Sequence, residues 1–217
     1  MSSDAELALK VFVEIAETRR IWGAIEATLP QASQGISLVI TSAIRTEGKS
    51  LTAAGFAVLA AQRTKKRVVA IDLNWYRPAL HEYFGLRPSF GLSRLRSEES
   101  VARLAQPSGI RELSILTAPT MDAEADVLQP ADCDLGNGII RQLKADYELL
   151  IVDAGSVFPT NRNMMDPVTL ALSSDGFIMV VMANVTPRQE AKRARTVLET
   201  SGTKVLGLVL NQWRNPV

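Results

Sequence analysis

Short apolar runs alternate along the chain with stretches of helical spacing. Runs rich in Val and Ile occur at 36–41 (ISLVIT), 67–72 (RVVAID), 113–118 (LSILTA), 149–154 (LLIVDA), 177–182 (FIMVVM) and 204–210 (KVLGLVL). Helical patterns lie between most of them, at 49–64, 135–146, 164–173 and 187–201. Continuous apolar strands separated by helices predict an α/β fold, a doubly wound, mostly parallel sheet with helices on both faces. Ligands of such sheets bind at the carboxyl ends of the strands.

Ahead of the first strand, Leu7, Val11, Ile15, Ile21, Trp22 and Ile25 recur at mostly helical spacing. They predict one amphipathic helix over 5–29, ending before Pro30. The expected division is an N-terminal helix (1–30), packed on the domain or linking it, and the domain proper (31–217). Such a helix suits either the covering of a sheet edge or an oligomer or partner surface. The helix at 187–201 is punctuated by Thr186 as N-cap, Pro187 at its first position and Gly202 past its end. Segment 85–112, with two prolines and three glycines, reads as a surface excursion with one short helix.

Composition narrows the function classes. With 47% hydrophobic and 22% charged residues, the 217-residue chain is able to bury a core as one unit. Lys and Arg number 24 against 23 Asp and Glu, a formal net charge of +1, so no global field points to nucleic acid or an anionic membrane. Cys133, the only cysteine, rules out an internal disulfide and fits a reducing compartment, so a cytoplasmic location is expected. The first twenty residues lack the pattern of a signal peptide. The longest apolar run, 176–185, falls short of the roughly 18 to 20 residues that span a bilayer. Peripheral attachment at an inner membrane would therefore need a partner.

The candidate chemistry gathers at three strand ends. Residues 43–50, AIRTEGKS, have the length of a phosphate-binding loop, with Ala43 in place of the usual first glycine. Such a loop needs backbone N–H groups at a helix N-terminus, a lysine reaching the β- and γ-phosphates, and a hydroxyl for Mg²⁺. Gly48, Lys49 and Ser50 fit those places, and Ala43, Thr46, Glu47 and Leu51 complete the candidate nucleotide-binding set. Asp72 and Asp153 each end an apolar strand, where a parallel sheet would deliver both carboxylates to the edge that carries the loop. A GK[S/T] turn also serves as an ordinary strand-to-helix connection, and either carboxylate also suits a helix cap. Together with Lys49, the two aspartates supply what phosphoryl transfer requires: a carboxylate for the metal and a group that orients or deprotonates a nucleophile.

Several stretches resemble the cytoplasmic ATP-binding domain of bacterial tyrosine kinases of capsule and exopolysaccharide synthesis, within the division-site and partition ATPase class of P-loop proteins. They are 41–86, through Arg77-Pro78 to HEYFGL; 145–155, ADYELLIVDAG; and 174–212. The resemblance covers about residues 36–212 and implies ATP and Mg²⁺ as ligands. It implies that Lys49 and Ser50 hold phosphates and metal, that Asp72 assists the metal and activates a hydroxyl nucleophile, that Asp153 holds the metal through water, and that Asn211 lies near the adenine. It also implies a membrane polysaccharide co-polymerase, or its cytoplasmic segment, as partner, and raises homo-oligomerisation.

The departures open alternatives. Asn74 stands where the family usually has Asp, and an amide cannot accept a proton, so general-base work would fall on Asp72 alone. Arg45-Thr46 replaces a Pro-Gly pair, and a β-branched residue suits positive φ poorly. Ile44 stands at the place of the partition ATPases' signature lysine, and Ala154-Gly155-Ser156 where Thr-Pro-Pro is common. Tyr76, Tyr83 and Tyr147 are the only tyrosines, so phosphorylation of a C-terminal tyrosine cluster is not expected. The readings are a kinase or ATPase of exopolysaccharide, capsule or adhesin production, an impaired pseudokinase acting as adaptor, and a partition-type ATPase.

Among the remaining residues, His81 is expected to be structural, Asp166 to cap a helix and Asp175 to cap a turn. The basic face at 192–195 is expected to be solvated, and Trp22, Trp75 and Trp213 to be core or partner contacts.

Overall fold

The computed structural model describes residues 3–30, 32–120, 134–158, 165–202 and 204–212. Cys133 and Trp213 lie outside them. Seven strands form one sheet: β1 (Ile36–Ser42), β2 (Val68–Asp72), β3 (Gln106–Pro107), β4 (Leu113–Leu116), β5 (Leu149–Ser156), β6 (Gly176–Met182) and β7 (Val205–Asn211). Their order is β3-β4-β2-β5-β1-β6-β7, and all pairs are parallel except β3 with β4. The six runs read as strands are the six parallel strands. The two-residue β3 carries no apolar run, and Pro107 has no N–H to extend the ladder beyond this edge.

Period-two alternation feeds two cores. Val39, Val69, Ile71 and Val152 face a core shared with α6 (Leu135–Asp146) and α7 (Arg188–Thr200). Leu38, Ile40, Val68 and Ile151 face a core shared with α1 (Asp4–Glu14), α2 (Ala16–Thr28) and α3 (Lys49–Arg63). All seven residues of β1 are buried, as expected for a central strand covered on both faces.

Where the pattern predicts one helix over 5–29, two are present. Ile15 takes extended dihedrals (φ −63°, ψ 126°) and turns the chain so that both helices lie on α3. The ring of Phe56 on α3 meets Trp22 at 5.4 Å and Phe12 at 6.5 Å between centroids. Gly55 permits this approach, because a Cβ there would sit 2.3 Å from the Phe12 ring. Neither Trp22 nor Trp75 is exposed.

Segment 85–112 is more than a surface excursion. Its short α5 (Leu92–Ser97) and the 3-10 turn Val101–Leu104 bury Leu92, Leu95, Val101 and Leu104 in the first core. The helical pattern at 164–173 is a 3-10 turn, Pro167–Leu172, with Asp166 as its cap. Asp175 does not merely cap a turn: it accepts from the Ser37 backbone and hydroxyl and pairs with Lys144 at 2.8 Å, tying β1 to α6.

Phe56 is 1% exposed, so Phe56→Ala removes the ring on which α1 and α2 converge. It is expected to cost about 3–5 kcal/mol in urea unfolding.

Candidate functional site

The loop between β1 and α3 is shaped by its own side chains. Gly48 takes φ +85° as N-cap of α3, and a Cβ on it would meet Asn211 Nδ2 at 2.3 Å. Both its dihedrals and its neighbour therefore demand glycine. Thr46 also lies in the left-handed region, at φ 62°, the strained conformation that its β-branch disfavours.

Glu47 anchors the loop. Its side chain is 1% exposed; Oε2 accepts from Ile44 N at 2.7 Å, while Oε1 accepts from Met182 N at 3.2 Å and from the Thr186 hydroxyl. Asn211 Nδ2 donates to the Glu47 carbonyl at 3.0 Å. These bonds tie the loop to the ends of β6 and β7. They also explain why the helix cap at Thr186 fails: its hydroxyl is engaged with Glu47 and Met182, and Pro187 becomes the N-cap of α7 without a side-chain bond.

Asp72 and Asp153 are register partners on β2 and β5; Asp72 ends β2, but Asp153 does not end its strand as the apolar run suggests, because β5 continues to Ser156. Asp72 Oδ1 accepts from Asn74 N, and Oδ2 from Ala79 N and Leu80 N, all at 3.0 Å. Ala79 is the N-cap of the short α4 (Leu80–Tyr83), so Asp72 shapes the turn that enters it. Trp75 Nε1 donates to the Asp72 carbonyl at 2.8 Å, and Asn74 Nδ2 to Arg77 O at 2.9 Å. Burial pushes the Asp72 pKa up against these backbone bonds.

Asp153 differs. Both its oxygens are buried without a partner of hydrogen-bonding geometry. Burial, and then the Asp72 charge, raise its pKa to about 7, while the Lys49 charge and the Ser50 hydroxyl act in the opposite direction. A buried carboxylate with free lone pairs beside an ammonium and a hydroxyl fits a hydrated divalent cation. Among the described residues no three His, Cys, Asp or Glu side chains converge, so a cation here would need ligand oxygens such as phosphates.

The loop opens on a cavity of about 320 Å³, lined by Arg45, Lys49, Ser50, Tyr76, Arg77 and Tyr83 among others. The sequence reading brings Thr46, Gly48, Lys49 and Ser50 to this wall. Ala43 and Leu51 are buried behind it, Glu47 is turned to β6, and Asn211 lies on the loop backbone. Tyr76, Tyr83 and Ser156 were not assigned to the site from sequence. Their signal is position, since 74–83 follows directly on the strand that delivers Asp72 and Ser156 ends the strand that carries Asp153. His81 is half-buried with Nδ1 unpartnered.

No family model matches the chain. The tyrosine-protein kinase YwqD of Bacillus subtilis (strain 168) is 32% identical over 180 residues, covering 81% of this chain and 71% of that protein. The chain belongs to the bacterial tyrosine-protein kinase family. The succinoglycan biosynthesis transport protein ExoP of Rhizobium meliloti (strain 1021) is 28% identical over 193 residues, 83% of this chain and 22% of that protein. Among solved structures, the chimerical protein CapA2B2 has a TM-score of 0.79 at 24% identity, covering 99% of this chain and 93% of that one. MinD of Pyrococcus horikoshii OT3, complexed with Mg-ADP, has a TM-score of 0.68 at 20% identity, covering 83% and 71%. Both share the P-loop α/β fold with this member of the tyrosine kinase family. No helix among the described residues is long and apolar enough to cross a membrane.

Two outcomes follow for the ligand-free protein. Because the Asp153 pKa in the fold lies above its ordinary value, its protonation favours the folded state, and that contribution is lost as pH rises from about 4 through about 7. Asp153→Asn is therefore expected to be more stable than the parent at pH 8, by about 2–4 kcal/mol, with the gap closing towards pH 4 in urea titrations. Glu47→Ala leaves Ile44 N, Met182 N and the Thr186 hydroxyl without their carboxylate, an expected loss of about 2–4 kcal/mol in the same assay.

Proposed function

We propose that the chain binds ATP with Mg²⁺ in the cavity at the β1–α3 loop and transfers the γ-phosphoryl group to a protein tyrosine or to water. Its setting is capsule or exopolysaccharide production. The observation that carries this reading is the unpartnered, buried Asp153 carboxylate beside Lys49 and Ser50. The loop amides and Lys49 hold the phosphates and neutralise charge as it develops on them. Ser50 and Asp153 would hold the metal, and Asp72 fixes the neighbouring turn through its three backbone bonds. The Mg²⁺ ion supplies charge neutralisation and alignment of the phosphates. Asn211, by holding the Glu47 carbonyl, sets the loop edge beside which a base would lie.

ExoP, named for succinoglycan biosynthesis transport, supports a partnership with a membrane polysaccharide co-polymerase or its cytoplasmic segment. The protein is then cytoplasmic and peripheral at the membrane through that partner. Homo-oligomer formation belongs to the same reading.

A second reading, a pseudokinase adaptor, is favoured by one feature: Asp72, the expected base, already accepts three backbone N–H bonds, and Asn74 beside it cannot take a proton. Titration calorimetry of Mg-ATP into the parent, Lys49→Ala and Asp153→Asn decides binding, with micromolar affinity expected for the parent alone. Incubation with γ-labelled ATP then separates the two readings: label on tyrosine or free phosphate marks turnover, and neither marks an adaptor. Since the metal needs ionised Asp153, Mg-ATP affinity is expected to be about tenfold weaker at pH 6 than at pH 8. A flat profile would remove Asp153 from the metal site.

A further inference from the structure

The cavity carries more positive charge than a phosphate loop needs. Arg45, Lys49 and Arg77 all line it, no carboxylate does, and none of the three has a salt-bridge partner among the described residues. Lys49 is the one cation that the loop's length and spacing require. Arg45 belongs to the same loop, three residues before the Gly48 cap, and its Nε is buried without a hydrogen-bond partner. Its guanidinium carbon sits 5.0 Å from the centroid of the Tyr76 ring. The ring face holds the planar group by a cation–π contact while satisfying none of its N–H donors. A buried donor in that condition is costly until an acceptor arrives, and a guanidinium pairs best with the oxygens of a phosphate or carboxylate.

We infer that Arg45, held on Tyr76, is a specificity-determining residue that engages the terminal phosphate of a nucleoside triphosphate and so favours ATP over ADP. The inference rests on the nucleotide-binding reading above. The loop amides serve phosphates that both nucleotides possess and Lys49 reaches the β- and γ-phosphates, so Arg45 and Arg77 are the wall's cations beyond that need, available to the charge that the third phosphate adds. Arg45 is better placed for this than Arg77, because the cost of its buried, unpartnered Nε is relieved on binding. The arrangement also assigns work to a departure from the family pattern: the residue at this loop position is long, charged and braced by an aromatic ring.

Calorimetric titrations of Mg-ATP and Mg-ADP into the full chain, Arg45→Ala, Arg45→Gln and Arg45→Lys test the inference, with thermal melts to establish folding. The expected result is a parent that prefers ATP, and Ala and Gln variants whose ATP/ADP affinity ratio falls about tenfold while Mg-ADP affinity stays within about twofold. Arg45→Lys should lie between, keeping the charge but losing the fork. Equal loss for both nucleotides would overturn the inference and make Arg45 a shaper of the loop. Equal gain would overturn it too, making Arg45 a plug. An unchanged ratio in a parent that binds both defeats this inference alone, whereas a parent that binds neither nucleotide defeats the function reading with it.

Discussion

Asp72, at the end of β2, and Asp153, within the adjacent β5, stand in register in the protein interior, and the surrounding structure answers to that pairing. Two like charges in a medium of low polarity repel strongly and lack the water that would stabilise them. The fold treats them asymmetrically. Asp72 receives three backbone N–H groups from the turn into α4 and becomes part of the framework. Asp153 receives none, and Lys49 and Ser50 are the groups that favour its charged form. One carboxylate is bonded into the turn, and the other is left without a partner of hydrogen-bonding geometry.

The same division appears in the loop. Glu47 carries a full carboxylate into the interior, where it ties together Ile44, Met182 and Thr186 and fastens the loop to the β6 end. That anchoring accounts for the persistence of Thr46 at positive φ, since strained dihedrals survive where neighbouring contacts over-determine them. With Glu47 turned to β6 and Asn211 on the loop backbone, Arg45, Thr46, Lys49 and Ser50 are the loop residues with side chains that line the cavity beside Gly48. A loop with Ala43 and Thr46 in place of two usual glycines is thus held by long-range side-chain bonds, with backbone freedom kept at Gly48.

Two features that looked like local punctuation proved to be long-range contacts. Thr186 had the composition and position of a helix cap, and Asp175 those of a turn cap. Each side chain instead reaches a residue far away in sequence, Thr186 to Glu47 in the β1–α3 loop and Asp175 to Ser37 near the start of β1. Short polar side chains have cheap local bonds available to them, so a reading by neighbours assigns those first. Only the sheet order, which sets β6 against β1, makes the distant partner closer.

The six apolar runs, most of the helices between them, Lys49 at the start of α3 and Asp72 at the end of β2 were legible from residue pattern alone, whereas β5 runs on past Asp153 to Ser156. Periodicity reports which faces are buried, and parallel strands send their carboxyl ends to one edge. The break at Ile15 was hidden, because an apolar residue fits the helical spacing on either side of a bend. So was the buried face of 85–112, where prolines and glycines outweigh four leucines and valines that pack only once the sheet is assembled. Which aspartate is bonded and which is free, and that Arg45 lies against Tyr76, depend on distances between segments far apart in the chain. Pattern determined the elements and brought the chemistry to one edge. Tertiary contact decided which groups remain unsatisfied there, since hydrogen-bond partners are allotted only when the strands and turns are in place.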